Sequence, residues 1–170
     1  MSSGAHIFDA RPVDLAAIVA IYNASIPGRM ATADLEPVSV EDRLAWFERH
    51  SESRPLWVAR AGDAVAGWLS FETFYGRPAY RRTAEVSIYI APEWQRRGIA
   101  SELLAEAVER APAFGLAVLL GFIFGHNVAS LGLFQRFGFE PCGRLPLVAE
   151  LDGVLRDLVI VARPLASGTG

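Results

Sequence analysis

The spacing of hydrophobic residues changes from a helical to a strand period along this chain. Apolar residues recur at helical intervals between Leu15 and Tyr22, which predicts a first helix that ends near residue 25. A second helix is predicted to begin at Ser39, where Asp42 stands three residues later as in a capping box. Residues 56–74 then predict a strand, a turn and a second strand. The first half of the chain is therefore predicted to hold two helices followed by a β-hairpin.

Residues 83–91 alternate between two chemically different faces, as a strand does. One face carries Glu85, Ser87 and Tyr89, and the other carries Ala84, Val86, Ile88 and Ile90. The rest of the chain predicts, in order, a helix over 98–111, an apolar strand over 117–124, a short helix over 129–137 and two strands around the Asp152-Gly153 turn. This order of elements is typical of a mixed sheet with helices on its faces, and not of an alternating doubly wound fold.

The composition is that of a globular chain with a large apolar core. Hydrophobic residues make up 52% of the 170 positions and charged residues 21%. We expect one domain over residues 1–165, with a flexible tail at 166–170. The net charge of −3 gives no support to a surface that binds nucleic acid or to a polybasic membrane contact. The longest apolar run, 115–125, is too short to span a bilayer, and residues 1–10 lack the pattern of a signal peptide.

The absence of lysine and the single cysteine of this chain exclude several classes of site. All 16 basic residues are arginine, so no lysine is present to bind phosphates as in a P-loop, to form a Schiff base or to anchor pyridoxal phosphate. Cys142 is the only cysteine, and the three histidines, at positions 6, 50 and 126, lack the spacing of metal ligands. We therefore expect no metal, no internal disulfide and no lysine-dependent nucleotide hydrolysis, and a cytoplasmic location fits this cysteine usage.

The segment between the strand at 83–91 and the helix at 98–111 has the features of an anion-binding site. Backbone N–H groups at the start of a helix lack partners, and the helix dipole favours negative charge there. Gly98 allows a close approach to the backbone, and Arg96 and Arg97 add positive charge at the rim. Taken alone, such a glycine more often marks an ordinary turn between a strand and a helix.

The residues around this turn resemble motif A of the GNAT superfamily of acetyl-CoA-dependent N-acetyltransferases. The match begins with Gln95-Arg96-Arg97-Gly98-Ile99-Ala100 and continues with Asn127, Ser130-Leu131 and Gly138-Phe139. A narrower set resembles the phosphinothricin (methionine sulfoximine) acetyltransferase branch, namely Ile21-Tyr22-Asn23-Ala24, Ala31-Thr32, Arg43-x-x-Trp46-Phe47, Gly67-Trp68 and Ala79-Tyr80-Arg81-x-Thr83-x-Glu85. The resemblance implies a GNAT-like fold of the α/β (α+β) class, with a mixed, mostly antiparallel central sheet and helices on both faces.

The resemblance implies acetyl-CoA as the cosubstrate and a small-molecule amine as the acceptor. In the family, backbone groups of the strand bind the pantetheine arm, and amides of the turn bind the pyrophosphate. Carried onto this sequence, the cofactor-binding residues are Ile88, Tyr89, Ile90, Arg96, Arg97, Gly98, Ile99, Ala100, Ser101 and Asn127. The strand position of Tyr89 suggests packing beside the cofactor, with proton donation to the leaving thiolate as the alternative. Asn127 also suits a helix N-cap, and both of its roles can hold.

The resemblance also implies that Glu85 is the general base, which removes the amine proton through a water molecule. The alternative is a strand carboxylate that pairs with Arg81 or Arg82. For the substrate, an arginine fork binds a carboxylate or phosphinate through two parallel hydrogen bonds, and aromatic residues assist in this branch. The residues predicted to bind the substrate are Arg77, Tyr80 and Arg81, although surface arginines are commonly just solvated.

Three positions depart from the pattern of the branch. Phe134 replaces the tyrosine or histidine that would protonate the thiolate, which leaves that step to water or to Tyr89. Ala33-Asp34 replace Phe-Glu, and residues 151–155 differ in the C-terminal hairpin, which in the branch commonly helps to build the pocket or the dimer.

The resemblance implies a homodimer. Two further functions stay open: acetylation of a different amine or of a protein N-terminus, and non-catalytic binding of acyl-CoA.

Overall fold

The computed structural model describes residues 3–166, so residues 167–170 of the predicted tail lie outside the described residues. Within 3–166 the chain forms seven strands and four α-helices. Their bounds are β1 His6–Asp9, α1 Leu15–Ser25, α2 Val40–Glu48, β2 Leu56–Ala61, β3 Ala64–Thr73, β4 Thr83–Ile90, α3 Ile99–Arg110, β5 Val118–Phe124, α4 Val128–Arg136, β6 Glu140–Leu151 and β7 Val154–Pro164. Every helix and strand predicted from the sequence is present, and β1 is an additional strand.

All seven strands join one sheet in the order β1-β2-β3-β4-β5-β7-β6. Neighbouring strands run antiparallel except β4 and β5, which are parallel. The prediction of a mixed, mostly antiparallel sheet is therefore confirmed. β1 has no counterpart in the sequence pattern because it has only four residues and pairs with a single neighbour at the edge, which leaves too few positions for a period of two.

The helices cover opposite faces of the sheet, as predicted. α1 and α2 pack on one face in a core that includes Ile18, Tyr22, Trp46 and Trp68. The opposite face, under α3 and α4, carries a core that includes Leu103, Leu104, Phe134 and Phe139. The predicted division of β4 is also confirmed, because Ala84 and Val86 belong to the α3 side and Tyr89 packs on the α1 side.

Two of the helices begin at a side-chain cap. Ser39 Oγ accepts a hydrogen bond from Asp42 N at 3.0 Å, and the Asp42 carboxylate accepts one from Ser39 N, also at 3.0 Å, so the predicted capping box of α2 is confirmed. At α4, Asn127 Oδ1 accepts a hydrogen bond from Ser130 N at 3.1 Å. Among residues 3–166 there is no helix long and apolar enough to cross a membrane, and no group of three metal-ligating side chains.

Candidate active site

The parallel strands β4 and β5 separate part-way along their length and open a cleft. Their pairing runs from Thr83 with Val118 to Glu85 with Leu120 and then stops, although β4 continues to Ile90. A cavity of about 420 Å³ lies at the separated ends. Its walls come from the loop after α1, both strands, the start of α4 and the β6–β7 hairpin, and they include Met30, Thr32, Glu85, Ile88, Tyr89, Asn127, Phe134 and Val148.

Beyond Glu85, the backbone of β4 presents polar groups to this cleft that have no strand partner among residues 3–166. Ala91 N donates a hydrogen bond to Ala66 O in β3 at 2.9 Å. Successive residues of a strand direct their N–H and C=O groups to opposite sides, so Ile88 and Ile90 direct theirs away from β3 and towards the cleft. An extended chain of amides placed in the cleft can therefore pair with β4 as an added strand.

The turn from β4 into α3 leaves the first amides of the helix open. Gly98 adopts a φ of +83° at the helix N-cap, and no side chain caps the helix. Nothing lies within 4 Å of the place that a Cβ would take at this residue. In the part of the chain that the structure describes, no acceptor bonds the N–H groups of Ile99, Ala100 and Ser101. The arrangement suits a phosphate group, because both the open N–H groups and the helix dipole favour an anion.

The two arginines of this turn are exposed at its rim. Arg96 adopts a φ of +60°, which strains a residue with a side chain. The guanidinium of Arg97 lies 4.8 Å from the centre of the Trp94 ring, a cation–π contact that holds this charge beside the turn. Positive charge is thus fixed next to the open amides without an acidic partner among the described residues.

Glu85 lies at the point where the pairing of β4 with β5 ends. It is half-buried, and it forms no ion pair with Arg81 or Arg82 among residues 3–166, so the structure does not support that alternative role. Burial raises the pKa of Glu85 to about 7, and the negative charge of Glu72 on the neighbouring strand acts in the same direction. A carboxylate with such a pKa can accept and release a proton near neutral pH.

The loop after α1 is fastened over the cavity by three side chains of the cleft. The carbonyl groups of residues 29, 30 and 31 accept hydrogen bonds, in that order, from His126 Nε2 at 2.8 Å, Asn127 Nδ2 at 3.0 Å and the Tyr89 hydroxyl at 3.2 Å. Asn127 therefore caps α4 with its oxygen and binds this loop with its nitrogen. Burial raises the pKa of Tyr89, so its hydroxyl keeps the proton that it donates.

The loop is also joined to the C-terminal hairpin and to α2. Arg29 Nε donates to Asp152 Oδ2 at 2.9 Å, at the turn of the β6–β7 hairpin. Ala33 lines the cavity, whereas Asp34 accepts a hydrogen bond from Arg43 at 3.3 Å. The two residues that replace Phe-Glu of the branch thus lie in different places: the small side chain of Ala33 faces the cavity, and the carboxylate of Asp34 binds Arg43.

Phe134 closes the inner wall of the cavity. Its ring is buried and lies 4.9 Å from that of Phe139. A Cβ on Gly121 would come within 2.8 Å of the Phe134 ring, so the glycine in β5 is what allows the ring to pack against the strand. A purely apolar wall at this place offers no proton to a thiolate.

The three residues predicted to bind the substrate lie in the exposed loop between β3 and β4. Tyr80 packs its ring 5.3 Å from that of Phe74, and the carbonyl of Arg81 accepts a hydrogen bond from Arg54. The side chains of Arg77, Tyr80 and Arg81 are absent from the cavity walls within residues 3–166. They precede Glu85 by a few residues in the chain, but the structure does not bring their side chains into the cavity. Their role in binding the substrate stays a prediction.

The sequence profile of the Acetyltransferase (GNAT) family matches residues 17–139, which is most of the chain and includes both Glu85 and the turn at Gly98. The chain belongs to the GNAT acetyltransferase family. Within this family it is similar to YwnH of Bacillus subtilis, a candidate phosphinothricin acetyltransferase, with 55% identity over 90% of the chain and 94% of YwnH. It is an N-acetyltransferase of the phosphinothricin and methionine sulfoximine acetyltransferase branch.

Two further relatives extend this assignment of the GNAT chain. The L-methionine sulfoximine/L-methionine sulfone acetyltransferase of Pseudomonas aeruginosa is 36% identical over 92% of each chain. A GNAT superfamily phosphinothricin acetyltransferase from Sinorhizobium meliloti, solved in complex with acetyl-CoA, superposes with a TM-score of 0.91 at 33% identity, over 98% of this chain and 91% of that one. Acetyl-CoA is therefore bound in a close structural relative, and this acetyltransferase has the same fold.

Two residues of the acetyltransferase site have a larger part than the sequence predicts. In the sequence, His126 stands out only as lacking the spacing of a metal ligand, but in the structure its side chain binds the carbonyl of Arg29 and holds the loop over the cavity. The sequence does not single out Glu72, although it faces Glu85 across the ladder. Both residues act through partners that are distant in the chain, so no local sequence pattern marks them. Only the alternation of residues in β3 and β4, combined with the register of the two strands, could have placed Glu72 opposite Glu85.

Proposed function

We propose that this acetyltransferase moves an acetyl group from acetyl-CoA to the primary amine of a small amino-acid-like substrate of the phosphinothricin or methionine sulfoximine type, with Glu85 as general base. The observation that carries the proposal is a half-buried carboxylate, with a pKa of about 7, at the inner end of a cleft whose strands have separated. The curated relatives that act on L-methionine sulfoximine and phosphinothricin support the substrate class.

The cleft and the adjoining turn fit acetyl-CoA. The backbone groups of Ile88 and Ile90 would bind the amide-bearing arm, and the open amides of Ile99, Ala100 and Ser101 would bind the pyrophosphate, with Arg96 and Arg97 beside it. The thioester supplies an acetyl carbonyl that is activated towards an amine. The protein supplies its orientation, which converts the encounter of two reactants into a step within one complex.

The amine arrives in water mainly as an ammonium ion and must lose a proton before it can attack. Glu85 takes this proton, directly or through one water molecule, and the neutral amine then forms its bond to the acetyl carbon. As the carbon–sulfur bond breaks, the thiolate needs a proton in turn. Phe134 has none to give, and the Tyr89 hydroxyl is bonded to the carbonyl of Ala31, so water is the donor in this proposal.

Arg77, Tyr80 and Arg81 remain the proposed contacts for the acid group of the substrate. They belong to the loop that leads directly into β4, and neither arginine side chain has an acidic partner among the described residues. A guanidinium group binds a carboxylate or a phosphinate through two parallel hydrogen bonds. A protein N-terminus would lack such an acid group next to the amine, which favours a free amino-acid-like substrate.

The proposed assembly is a homodimer. The β6–β7 hairpin exposes large apolar side chains that a monomer would leave in water, namely Leu145, Leu147, Val148, Val154 and Leu155. The same hairpin contributes Val148 and Ala149 to the cavity wall. Its burial between two chains would therefore also fix one side of the site.

The general base is tested by Glu85→Gln, which keeps the shape of the side chain and removes its charge. We expect kcat/KM with methionine sulfoximine to fall by about 10²–10³-fold, because the amine proton then has no positioned acceptor. In the wild type kcat/KM should rise with pH through an acidic limb at about pH 7, where Glu85 loses its proton, and the variant should lack this limb. Thioester consumption is the measurement, and calorimetric titration with acetyl-CoA is the control for binding.

Turnover near the wild-type value at every pH in Glu85→Gln would show that another group is the base. Binding of acetyl-CoA with no thiol release from a panel of amino acids, other amines and peptides would favour the non-catalytic alternative. Thiol release with peptides alone would move the acceptor to a protein N-terminus.

A further inference from the structure

A second carboxylate faces the proposed base and has no part in the proposed mechanism. Glu72 in β3 is the direct cross-strand partner of Glu85 in β4. Ala66 and Ala91, six residues along in each strand, are joined by a hydrogen bond, so Glu72 and Glu85 form the same hydrogen-bonded type of pair. The Cα atoms of such a pair lie about 5.5 Å apart, and both side chains project from one face of the sheet.

Glu72 is fixed in this position by a buried indole. Trp46 Nε1 donates a hydrogen bond to Glu72 Oε1 at 3.1 Å, and Trp46 itself is only 8% exposed between α2 and the sheet. Trp46 also packs edge-on against His50 at 4.8 Å and against Trp68 at 5.5 Å. This hydrogen bond from a packed indole holds the Glu72 carboxylate in place beside α2.

Other charged groups on this face are already engaged or lie further along it. Among the described residues, the titratable and charged groups around the two glutamates include Tyr22, Asp34, Arg43, His50 and Tyr89, and Asp14 at the start of α1 is paired with Arg60 of β2. Arg43 binds Asp34 at 3.3 Å and lies 4.4 Å over the Tyr22 ring. His50 Nδ1 donates to the carbonyl of Trp46 at 3.0 Å. Arg81 and Arg82, in the loop before β4, are exposed, so the fixed charge that directly faces Glu85 is that of Glu72.

We propose that Glu72 is a positioning residue for the proton transfer: its fixed negative charge, opposite Glu85, makes Glu85 a stronger base towards the substrate ammonium. The inference rests on the proposed function of Glu85. An isolated carboxylate is a weak acceptor for a proton held by an alkylammonium ion, because the pKa of a carboxyl group is far below that of the ammonium ion. A like charge nearby reduces this difference in pKa. Glu72 does not touch the reacting atoms, and it acts only through Glu85.

The test is Glu72→Gln, whose amide oxygen still accepts the Trp46 hydrogen bond. Without the facing charge, the acidic limb of kcat/KM should move to lower pH by about 0.5–1 unit. Because Glu85 is then a weaker base, the plateau at high pH should fall by about 2–5-fold. The two profiles therefore converge or cross at low pH, whereas a merely structural defect would lower activity in proportion at every pH.

Two variants and one direct measurement complete the experiment. Glu72→Asp keeps the charge and should stay close to the wild-type profile, and Glu109→Gln removes the same charge from the exposed side of α3 and should change nothing. Carboxyl-carbon NMR titration of Glu85, assigned with Glu85→Gln, reports its pKa without any turnover. We expect this pKa to fall in Glu72→Gln by the same shift as the acidic limb, and to stay unchanged in Glu109→Gln.

The outcomes separate this inference from the function on which it rests. If Glu85→Gln abolishes turnover but neither the NMR titration nor the acidic limb moves in Glu72→Gln, the role of Glu72 is wrong and the function of Glu85 stands. If the NMR titration moves while Glu85→Gln remains active, Glu85 is not the base, and the role of Glu72 in the reaction fails with it.

Discussion

At the scale of single residues, the proposed mechanism depends on Glu85, a glutamate whose surroundings disfavour its charge. A solvated strand carboxylate is fully ionised well below neutral pH and has little tendency to take a proton at neutral pH. Glu85 differs because it is partly removed from water and faces Glu72 across the sheet. Both effects disfavour the ionised form, so the side chain is poised in the range where a general base works best.

The hydroxyl of Tyr89 provides a residue-scale prediction, because the sequence leaves it as an alternative donor to the thiolate. Tyr89→Phe should raise KM for the amine by about 2–5-fold, since one of three hydrogen bonds that hold the loop at 29–31 is lost. The turnover number should change by less than about 3-fold, because the proposed mechanism has water protonate the thiolate. Steady-state kinetics make the measurement.

Tyr22→Phe is the control for this prediction, because it removes a hydroxyl that is bonded to the same loop at Thr32. It should resemble Tyr89→Phe in both kinetic constants. If turnover instead falls by about 100-fold or more in Tyr89→Phe and stays unchanged in Tyr22→Phe, Tyr89 is the acid that protonates the thiolate.

At the scale of elements, the helices α2, α3 and α4 begin in different ways. α2 and α4 are capped by the side chains of Ser39 and Asn127, which satisfy amides of the first turn. α3 has no such cap and begins at Gly98 with its first amides open. An uncapped start costs stability to a free helix, and in the proposed complex a bound pyrophosphate would recover it.

Gly98→Ala tests this element. A Cβ there meets no protein atom, so the change acts through the backbone strain at φ +83° and through its approach to the bound anion. We expect the dissociation constant for coenzyme A to rise by about 10-fold, as amides lose their alignment with the pyrophosphate. The unfolding free energy should fall by about 1 kcal/mol. Calorimetric titration and thermal unfolding are the two measurements.

Gly115→Ala is the matched control, because Gly115 has a φ of +79° and equally open surroundings but lies beyond the other end of α3. Gly115→Ala should lower the unfolding free energy by the same amount as Gly98→Ala and leave the dissociation constant for coenzyme A unchanged. Equal losses of affinity in both variants would show that the turn at Gly98 has no special part in binding.

At the scale of the whole molecule, the helices and the strands other than β1 could be predicted from the sequence because their signals are local, whereas β1 is too short to show a period. The capping box at Ser39 and the alternation of residues 84–90 both act within a few residues of the chain, and both are confirmed. Two features of the site could not be predicted, because each joins segments that are distant in the sequence: the hydrogen bonds that hold residues 29–31 and the Glu72–Glu85 pair. These features follow from the register of the strands and from tertiary contacts, which no local period encodes.

The proposed homodimer provides the prediction at this scale. Leu155→Glu places a charge in the exposed apolar surface of the β6–β7 hairpin, so it should convert a dimer into a monomer with the 18.5 kDa mass of one chain. Val13→Glu, at an exposed apolar residue ahead of α1, should leave the dimer intact. Sedimentation equilibrium makes the measurement, and a wild-type protein that sediments as a monomer would refute the proposed assembly.

In the proposed complex, the separated strands and the open turn hold acetyl-CoA so that its thioester meets Glu85. A crystal structure of the wild-type protein with acetyl-CoA tests this most directly. We expect the pyrophosphate within hydrogen-bond distance of the amides of residues 99–101, the pantetheine arm paired with Ile88 and Ile90, and the acetyl carbon within one water molecule of the Glu85 carboxylate. A pyrophosphate bound elsewhere, or an acetyl group directed away from Glu85, would contradict the claim.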